Sequence, residues 1–286
     1  MSLVVTMIDQ GRLQICADLR IVRSDILPSG VNSHSPNYFN GVLKVIPIST
    51  SVAICYAGTV SIALEAIRTA KDSDCRSSTV PSLLINKLME GNNLNACDFL
   101  VVDAEELTVR KVHEGTITLI DDGFAWVGDS SAYNSFQNEL DELGISVNEN
   151  PISKAAKMMK ALQAVIDNRS ILNVGEFPLT AHSFSGEIQL GIAFAAQGPR
   201  VPTIEGNTPV QFSNDTNTDS LVINLTVPVE RGIAAIGVYI SQAHRGALYV
   251  PLKQDEPYLV DGFTVGEFRR KVQEEYCIEL LGGGFE

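Results

Sequence analysis

The sequence predicts an α+β fold, a four-layer αββα sandwich of two antiparallel sheets between helical layers, with a C-terminal extension. Three observations support it. Alternating apolar and polar residues indicate hairpins at the start of the chain. Strand-like and helix-like segments come in separate runs: strands, two helices, strands, two helices, strands. No Rossmann or P-loop spacing is present. Such runs favour packed antiparallel sheets over a parallel sheet with alternating helices.

Two hairpins are predicted before the first helix. The first covers residues 3–20 and turns at residues 9–11, where Asp-Gln-Gly interrupts two alternating runs. The second joins VLKVIPI to VAICYAG through a serine-rich turn at residues 49–51. Between the hairpins, residues 24–41 are rich in Ser, Asn, Pro and Gly and indicate a long excursion.

Four helices and further strands are predicted downstream of Gly58. Helical periodicity follows Gly58 directly and recurs at residues 81–90, 131–143 and 152–167. Strand-like segments between the helix pairs are DFLVVDA, LTVRKVH, TITLI and FAWVG. We therefore expect a core domain over residues 1–196.

A β-rich extension over residues 197–286 is expected to pack on that core. It begins with a polar segment at 197–220, and three strand-like segments follow: LVINLTVPV, IAAIGVYIS and GALYVPL. Its last helix is predicted from a capping box, Thr264 to Glu267, and from a hydrophobic staple between Phe263 and Phe268.

Composition excludes several functional classes. The net charge of −13 and the pI near 4.7 argue against nucleic-acid and anionic-membrane partners. No apolar run is long enough to span a bilayer, and no secretion signal is visible. The five cysteines include no CxxC and the histidines are scattered singly, so neither a metal site nor a cofactor is expected. The cysteines read as reduced thiols of a cytoplasmic protein, with Cys16 and Cys55 in the core.

Several motifs occur together in a recognisable order. They are Ala17-Asp18-Leu19-Arg20, Lys44 on the next strand, Ala57-Gly58 before a helix, and FLVVDAEELTVRKVHEG followed by AWVGDSSAYNSF. This order resembles proteasome beta subunits and the related bacterial ATP-dependent ring protease, over about two thirds of the chain. The resemblance implies an N-terminal-nucleophile hydrolase, in which the first residue attacks a peptide carbonyl and its own α-amine takes the proton.

By resemblance, Ser2 is the nucleophile, exposed by removal of Met1, and Asp18 and Lys44 form the charge network around its amine. Gly58 would donate its amide to the oxyanion, and Ser130 would bind near the amine. Three of these residues also have a structural alternative: Lys44 could point outward from an edge strand, Gly58 could serve a tight strand-to-helix turn, and Ser130 could be a helix N-cap.

The sequence departs from the family pattern at two places. A serine stands where the family has threonine, and after the fourth helix the supporting aspartate of the family is displaced or lost around Asp167 and Ser170. By resemblance, the predicted function is a peptidase that acts on peptides or proteins, and the implied partners are further copies of the chain in a homo-oligomeric ring and an unfoldase. The alternatives are a non-catalytic assembly or binding subunit and a small-amide amidase.

Overall fold

The computed structural model describes residues 2–18, 42–146, 149–168, 170–171, 173–175, 179–184, 186–192, 222–226, 235–240, 245–250, 257–262 and 264–280. The predicted excursion at 24–41, the polar segment at 197–220 and Phe263 of the predicted staple lie outside these residues.

The described residues contain strands and helices in separate runs. The strands are β1 (Leu3–Asp9), β2 (Arg12–Ala17), β3 (Val45–Pro47), β4 (Val52–Gly58), β5 (Cys97–Asp103), β6 (Thr108–His113), β7 (Thr116–Ile120), β8 (Gly123–Gly128), β9 (Leu179–Phe184), β10 (Glu187–Ile192), β11 (Val222–Thr226), β12 (Ile236–Ile240), β13 (Arg245–Tyr249) and β14 (Tyr258–Asp261). The helices are α1 (Val60–Ser73), α2 (Val80–Glu90), α3 (Ser130–Leu143), α4 (Pro151–Asp167) and α5 (Val265–Tyr276).

The strands form three sheets. Sheet I has the order β10-β9-β2-β1-β8, sheet II the order β3-β4-β5-β6-β7, and sheet III the order β11-β12-β13-β14. Every paired strand runs antiparallel to its neighbour. The α+β class and the antiparallel sheets predicted from the sequence are therefore confirmed.

Opposite faces of the strands in sheets I and II belong to different hydrophobic clusters. Side chains alternate along a strand, so Val4 joins a cluster that contains residues of both sheets, whereas Leu3 and Val5 pack with α3 and α4. In sheet II, Tyr56 and Phe99 pack with α1 and α2. Burial on both faces explains why β1 is almost continuously apolar.

Sheet III packs one face against α5. The ring centroids of Phe268 on α5 and Tyr239 on β12 lie 5.8 Å apart. The Phe268 ring also packs closely over Gly246, where a Cβ would lie 2.3 Å from the ring. On β13, Ala247 and Tyr249 belong to the cluster shared by sheets I and II. The Thr264 hydroxyl accepts a hydrogen bond from the Glu267 amide at 3.1 Å, as the predicted cap requires.

The sequence reading missed several strands, and two of its shifted boundaries concern candidate site residues. It assigned no strands to residues 179–192 or 258–261, which form β9, β10 and β14. Strand β3 begins at Val45, so Lys44 lies just outside it. Helix α3 begins at Ser130 and its N-cap is Asp129, so the prediction of Ser130 as the N-cap is wrong. The carboxylate of Asp129 accepts the amides of Ser131 and Ala132, and its negative charge is favourable at the N-terminal end of the helix dipole.

Candidate active site

The first hairpin brings Ser2 close to Asp18. Its turn is formed by Gln10 and Gly11, both with positive φ (48° and 73°), a geometry that matches the twist of paired strands. The register pairs Val4 with Ala17, so Leu3 lies beside Asp18. The Asp18 amide donates to the Leu3 carbonyl at 3.1 Å, and the Leu3 amide donates to Asp18 Oδ1 at 2.8 Å.

Lys44 forms a buried ion pair with Asp18. The distance from Lys44 Nζ to Asp18 Oδ2 is 2.8 Å, and the two side chains are 1% and 0% exposed. The Lys44 carbonyl accepts a hydrogen bond from the Tyr56 amide at 3.1 Å, which fixes the lysine beside β4. The alternative of an outward-pointing Lys44 is therefore wrong. Burial at this depth demands an opposite charge, because an isolated ammonium would lose its hydration without compensation.

Asp18 also receives a donor from the segment after α4. The Gly175 amide lies 3.3 Å from Asp18 Oδ2, the oxygen that pairs with Lys44. One carboxylate therefore joins the start of β1, the lysine before β3 and the segment at residues 173–175.

Ser2 is held by its carbonyl group. The side chain and backbone together are 5% exposed, and the Ser2 carbonyl accepts a hydrogen bond from the Asp129 amide at 2.7 Å. Gly128 makes this approach possible: its φ is 116°, and a Cβ there would lie 1.9 Å from the Ser2 oxygen. Leu19, the predicted cross-strand neighbour of Ser2, lies outside the described residues, as does Met1.

Gly58 ends β4 at a tight junction with α1. Its φ is 120°, and a Cβ at this position would lie 2.2 Å from the Ala96 carbonyl oxygen. The next amide, that of Thr59, donates to the same oxygen at 3.0 Å. Gly58 therefore serves a tight strand-to-helix turn, as the structural alternative predicted. Because Gly58 is also exposed, this role is compatible with donation of its amide to a ligand.

Ser130, Asp167 and Ser170 lie at helix ends, Ser130 at the start of α3 and the other two at or just after the end of α4. Ser130 is exposed in the first turn of α3. Asp167 is exposed and accepts from Gln163 Nε2 at 2.9 Å, and the Ser170 hydroxyl donates to Asn168 at 2.7 Å. The contacts of Asp167 and Ser170 are therefore local to the end of α4.

Sequence reasoning missed Asp129, which binds the Ser2 carbonyl, and Asn173, which binds Asp129. Asn173 Nδ2 donates to Asp129 Oδ2 at 2.7 Å, and Asp129 Oδ1 accepts the amides of Ser131 and Ala132 at 2.9 and 3.0 Å. Burial acts to raise the pKa of Asp129, but hydrogen bonds from Ser131, Asn173 and Ala132 outweigh it and hold that pKa below its ordinary value. The carboxylate therefore stays ionised.

The buried cysteines Cys16 and Cys55 are disfavoured as nucleophiles. Burial raises the pKa of Cys16 and of Cys55 well above the ordinary thiol value, which disfavours the reactive thiolate. Both belong to hydrophobic clusters, in agreement with the sequence reading. The described residues hold no group of three or more His, Cys, Asp or Glu side chains suited to a metal ion.

Comparison with known proteins identifies no family. No protein-family model matches the chain, and no curated protein sequence matches it significantly. Among the described residues, none of the helices combines the length and apolar character that a membrane crossing requires.

Proposed function

We propose that this chain is an N-terminal-nucleophile hydrolase that cleaves peptide bonds through Ser2 after removal of Met1. The observation that carries the proposal is the buried Lys44–Asp18 pair, whose carboxylate also binds the Leu3 amide, one residue from the nucleophile. The resemblance stated above assigns these residue types to the same roles.

In the proposed reaction, the Ser2 hydroxyl attacks the peptide carbonyl carbon while the free Ser2 amine takes its proton. The C–N bond then breaks, the departing amine receives that proton, and water hydrolyses the resulting ester. The Lys44 ammonium lowers the pKa of the neighbouring amine, and Asp18 balances the lysine charge. The Gly58 amide, beside the start of α1, donates to the oxyanion.

The finer architecture belongs to the same proposal. The cluster between sheets I and II, and the separate clusters that join sheet I to α3 and α4 and sheet II to α1 and α2, support a four-layer αββα sandwich. Sheet III and α5 would form the extension. By resemblance, the chain would assemble as a homo-oligomeric ring that receives protein substrates from an unfoldase, and light scattering that gave a strict monomer would contradict this.

One observation favours a second candidate, a non-catalytic assembly or binding subunit of the same fold. Asp167 and Ser170 are exposed, and they form hydrogen bonds with Gln163 and Asn168, their neighbours in sequence. If Ser170 occupies the position of the family's aspartate, the amine lacks one of its supports. Intact mass spectrometry separates the candidates, because a fully retained Met1 keeps the Ser2 nitrogen in a peptide bond and excludes it as a base.

The direct test compares Ser2→Ala with the wild type, using protein whose N-terminus is sequenced and free of methionine. With a fluorogenic peptide amide, we expect Ser2→Ala to lower kcat at least about 1,000-fold, because the nucleophile is removed. Ser82→Ala, on an exposed position of α2, is the matched control and should leave turnover unchanged. Equal turnover in Ser2→Ala and the wild type would exclude the assignment.

A further inference from the structure

Asn173 contacts a residue that holds Ser2 in place. It lies in the short segment between α4 and β9, and its Nδ2 donates to Asp129 Oδ2 at 2.7 Å. A hydrogen bond to an ionised carboxylate is about twice as strong as a neutral one. Asp129 is 7% exposed, so the loss of this donor would leave a buried carboxylate oxygen poorly compensated.

Asp129 transmits this contact to Ser2 through its own backbone. Its other oxygen, Oδ1, is occupied by the Ser131 amide at 2.9 Å, the Ser131 hydroxyl at 2.5 Å and the Ala132 amide at 3.0 Å. The carboxylate is therefore fixed at both oxygens, and the backbone of Asp129 is fixed with it. The amide of this residue donates to the Ser2 carbonyl at 2.7 Å.

The segment at residues 173–175 also contacts Asp18, which binds the amide of the Ser2–Leu3 peptide group. Gly175, two residues after Asn173, donates its amide to Asp18 Oδ2 at 3.3 Å, and Asp18 Oδ1 accepts the Leu3 amide at 2.8 Å. Residues 173–175 thus contact both acidic residues that bind the Ser2–Leu3 peptide group. Asp129 binds the carbonyl oxygen of this group, and Asp18 binds its amide.

We propose that Asn173 is a positioning residue that fixes Ser2 through Asp129. The inferred effect of Asn173 on catalysis rests on the proposed function. Its inferred effect on the Ser2 backbone rests on the geometry alone. Among the described residues, the Asn173 side chain donates its hydrogen bond to Asp129 rather than to Ser2, Lys44 or Gly58, so its replacement should lower kcat and leave KM unchanged.

Two substitutions distinguish a positioning role from a general structural one. Asn173→Ala removes the donor at every pH and should lower kcat roughly 10-fold, as expected for one lost hydrogen bond to a charged group. Asn173→Asp keeps the shape but sets two carboxylates face to face at neutral pH. As the pH falls from 8 to 5, the pair takes up one proton and the donor returns. The kcat of this variant relative to the wild type should therefore rise, whereas the ratio for Asn173→Ala should stay flat.

Amide hydrogen exchange supplies a readout that needs no turnover. Asn173→Ala should speed exchange of the Asp129 amide about 10-fold, because its hydrogen bond to Ser2 loosens, and should leave the amides of β5 and β6 unchanged. Asn138→Ala, at an exposed position of α3, is the control and should alter neither region.

Each outcome decides one question. If the wild type hydrolyses no amide but Asn173→Ala still speeds exchange at Asp129, the proposed function fails and the positioning role stands. An unchanged Asp129 exchange rate in folded Asn173→Ala overturns the positioning role, and so does an Asn173→Asp variant that behaves like Asn173→Ala at every pH. Should Asn173→Ala not fold, the exchange rate of the Asp129 amide in Asn173→Asp, divided by the wild-type rate at the same pH, carries the same test: a larger ratio at pH 8 than at pH 5 is expected, and equal ratios overturn the proposal.

Discussion

Replacing Lys44 by methionine tests the buried ion pair directly. The substitution keeps an unbranched apolar side chain of similar length but removes the ammonium, leaving Asp18, which is 0% exposed, without its opposite charge. Breaking one partner of a buried pair costs about 3–5 kcal/mol, because the remaining charge is uncompensated. The remaining amide donors from Leu3 and Gly175 place the expected loss nearer about 3 kcal/mol.

A surface pair provides the matched control. Arg270 and Glu274 approach to 2.9 Å, like the buried pair, but their side chains are 59% and 57% exposed. Arg270→Met should therefore cost only about 0.2–1 kcal/mol. Urea unfolding followed by circular dichroism and by the fluorescence of Trp126, the single tryptophan, gives the free energy of unfolding for each variant.

Neutralising the Asp18 carboxylate in the Lys44→Met variant should restore part of the lost free energy of unfolding. In the Lys44→Met background, Asp18→Asn removes the uncompensated charge, so the double variant should be more stable than Lys44→Met alone. Two results would refute the reasoning: a Lys44→Met cost no larger than that of Arg270→Met, or a further loss on adding Asp18→Asn. Under the proposed function, Lys44→Met should also abolish amide hydrolysis even where it remains folded.

Two further predictions concern the Gly58 junction and the turn before α4. Gly58→Ala should lower the free energy of unfolding by at least about 2 kcal/mol, since its Cβ would lie 2.2 Å from the Ala96 oxygen at a φ of 120°. Gly11→Ala, with a φ of 73° and open space around it, is the control, and an equal loss there would contradict the close-contact explanation. Hydrogen bonds, first from Lys157, lower the pKa of Glu149 from 4.5 to about 2, so its stabilising effect is present above pH 4.5 and is lost as the pH falls towards 2. The stability difference between the wild type and Glu149→Gln, from urea unfolding, should shrink over that interval; a constant difference would contradict the prediction.

Local signals in the sequence predicted most of the first two thirds of the fold. The turn at Gln10-Gly11 and the helical periodicity after Gly58 depend on neighbours in sequence, so composition and spacing reveal them. The strands at 179–192 were missed because LTAHSF and EIQLGI carry a weak alternation, and their pairing depends on β2, more than 160 residues earlier. Long-range pairing of this kind leaves little trace in a single sequence.

The candidate site was predicted unevenly for the same reason. Lys44 stood out as a lone charge in an apolar run, and its partner Asp18 followed from the resemblance. Asp129 and Asn173 gave no such signal, because the hydrogen bond between them joins residues that are 44 positions apart in the sequence. A residue that caps a helix with its side chain and holds a strand with its backbone has the sequence signature of an ordinary cap.

The hydrogen bonds that hold Ser2 and Leu3 do not depend on the residue before Ser2. The Ser2 carbonyl is held by Asp129 and the Leu3 amide by Asp18, so neither bond uses an atom of the residue before Ser2. Cleavage of the preceding peptide bond would leave both bonds intact. The backbone of Ser2 is therefore held independently of the residue before it, and under the proposed function the amine freed by removal of Met1 would lose little conformational entropy in reaching a reactive geometry.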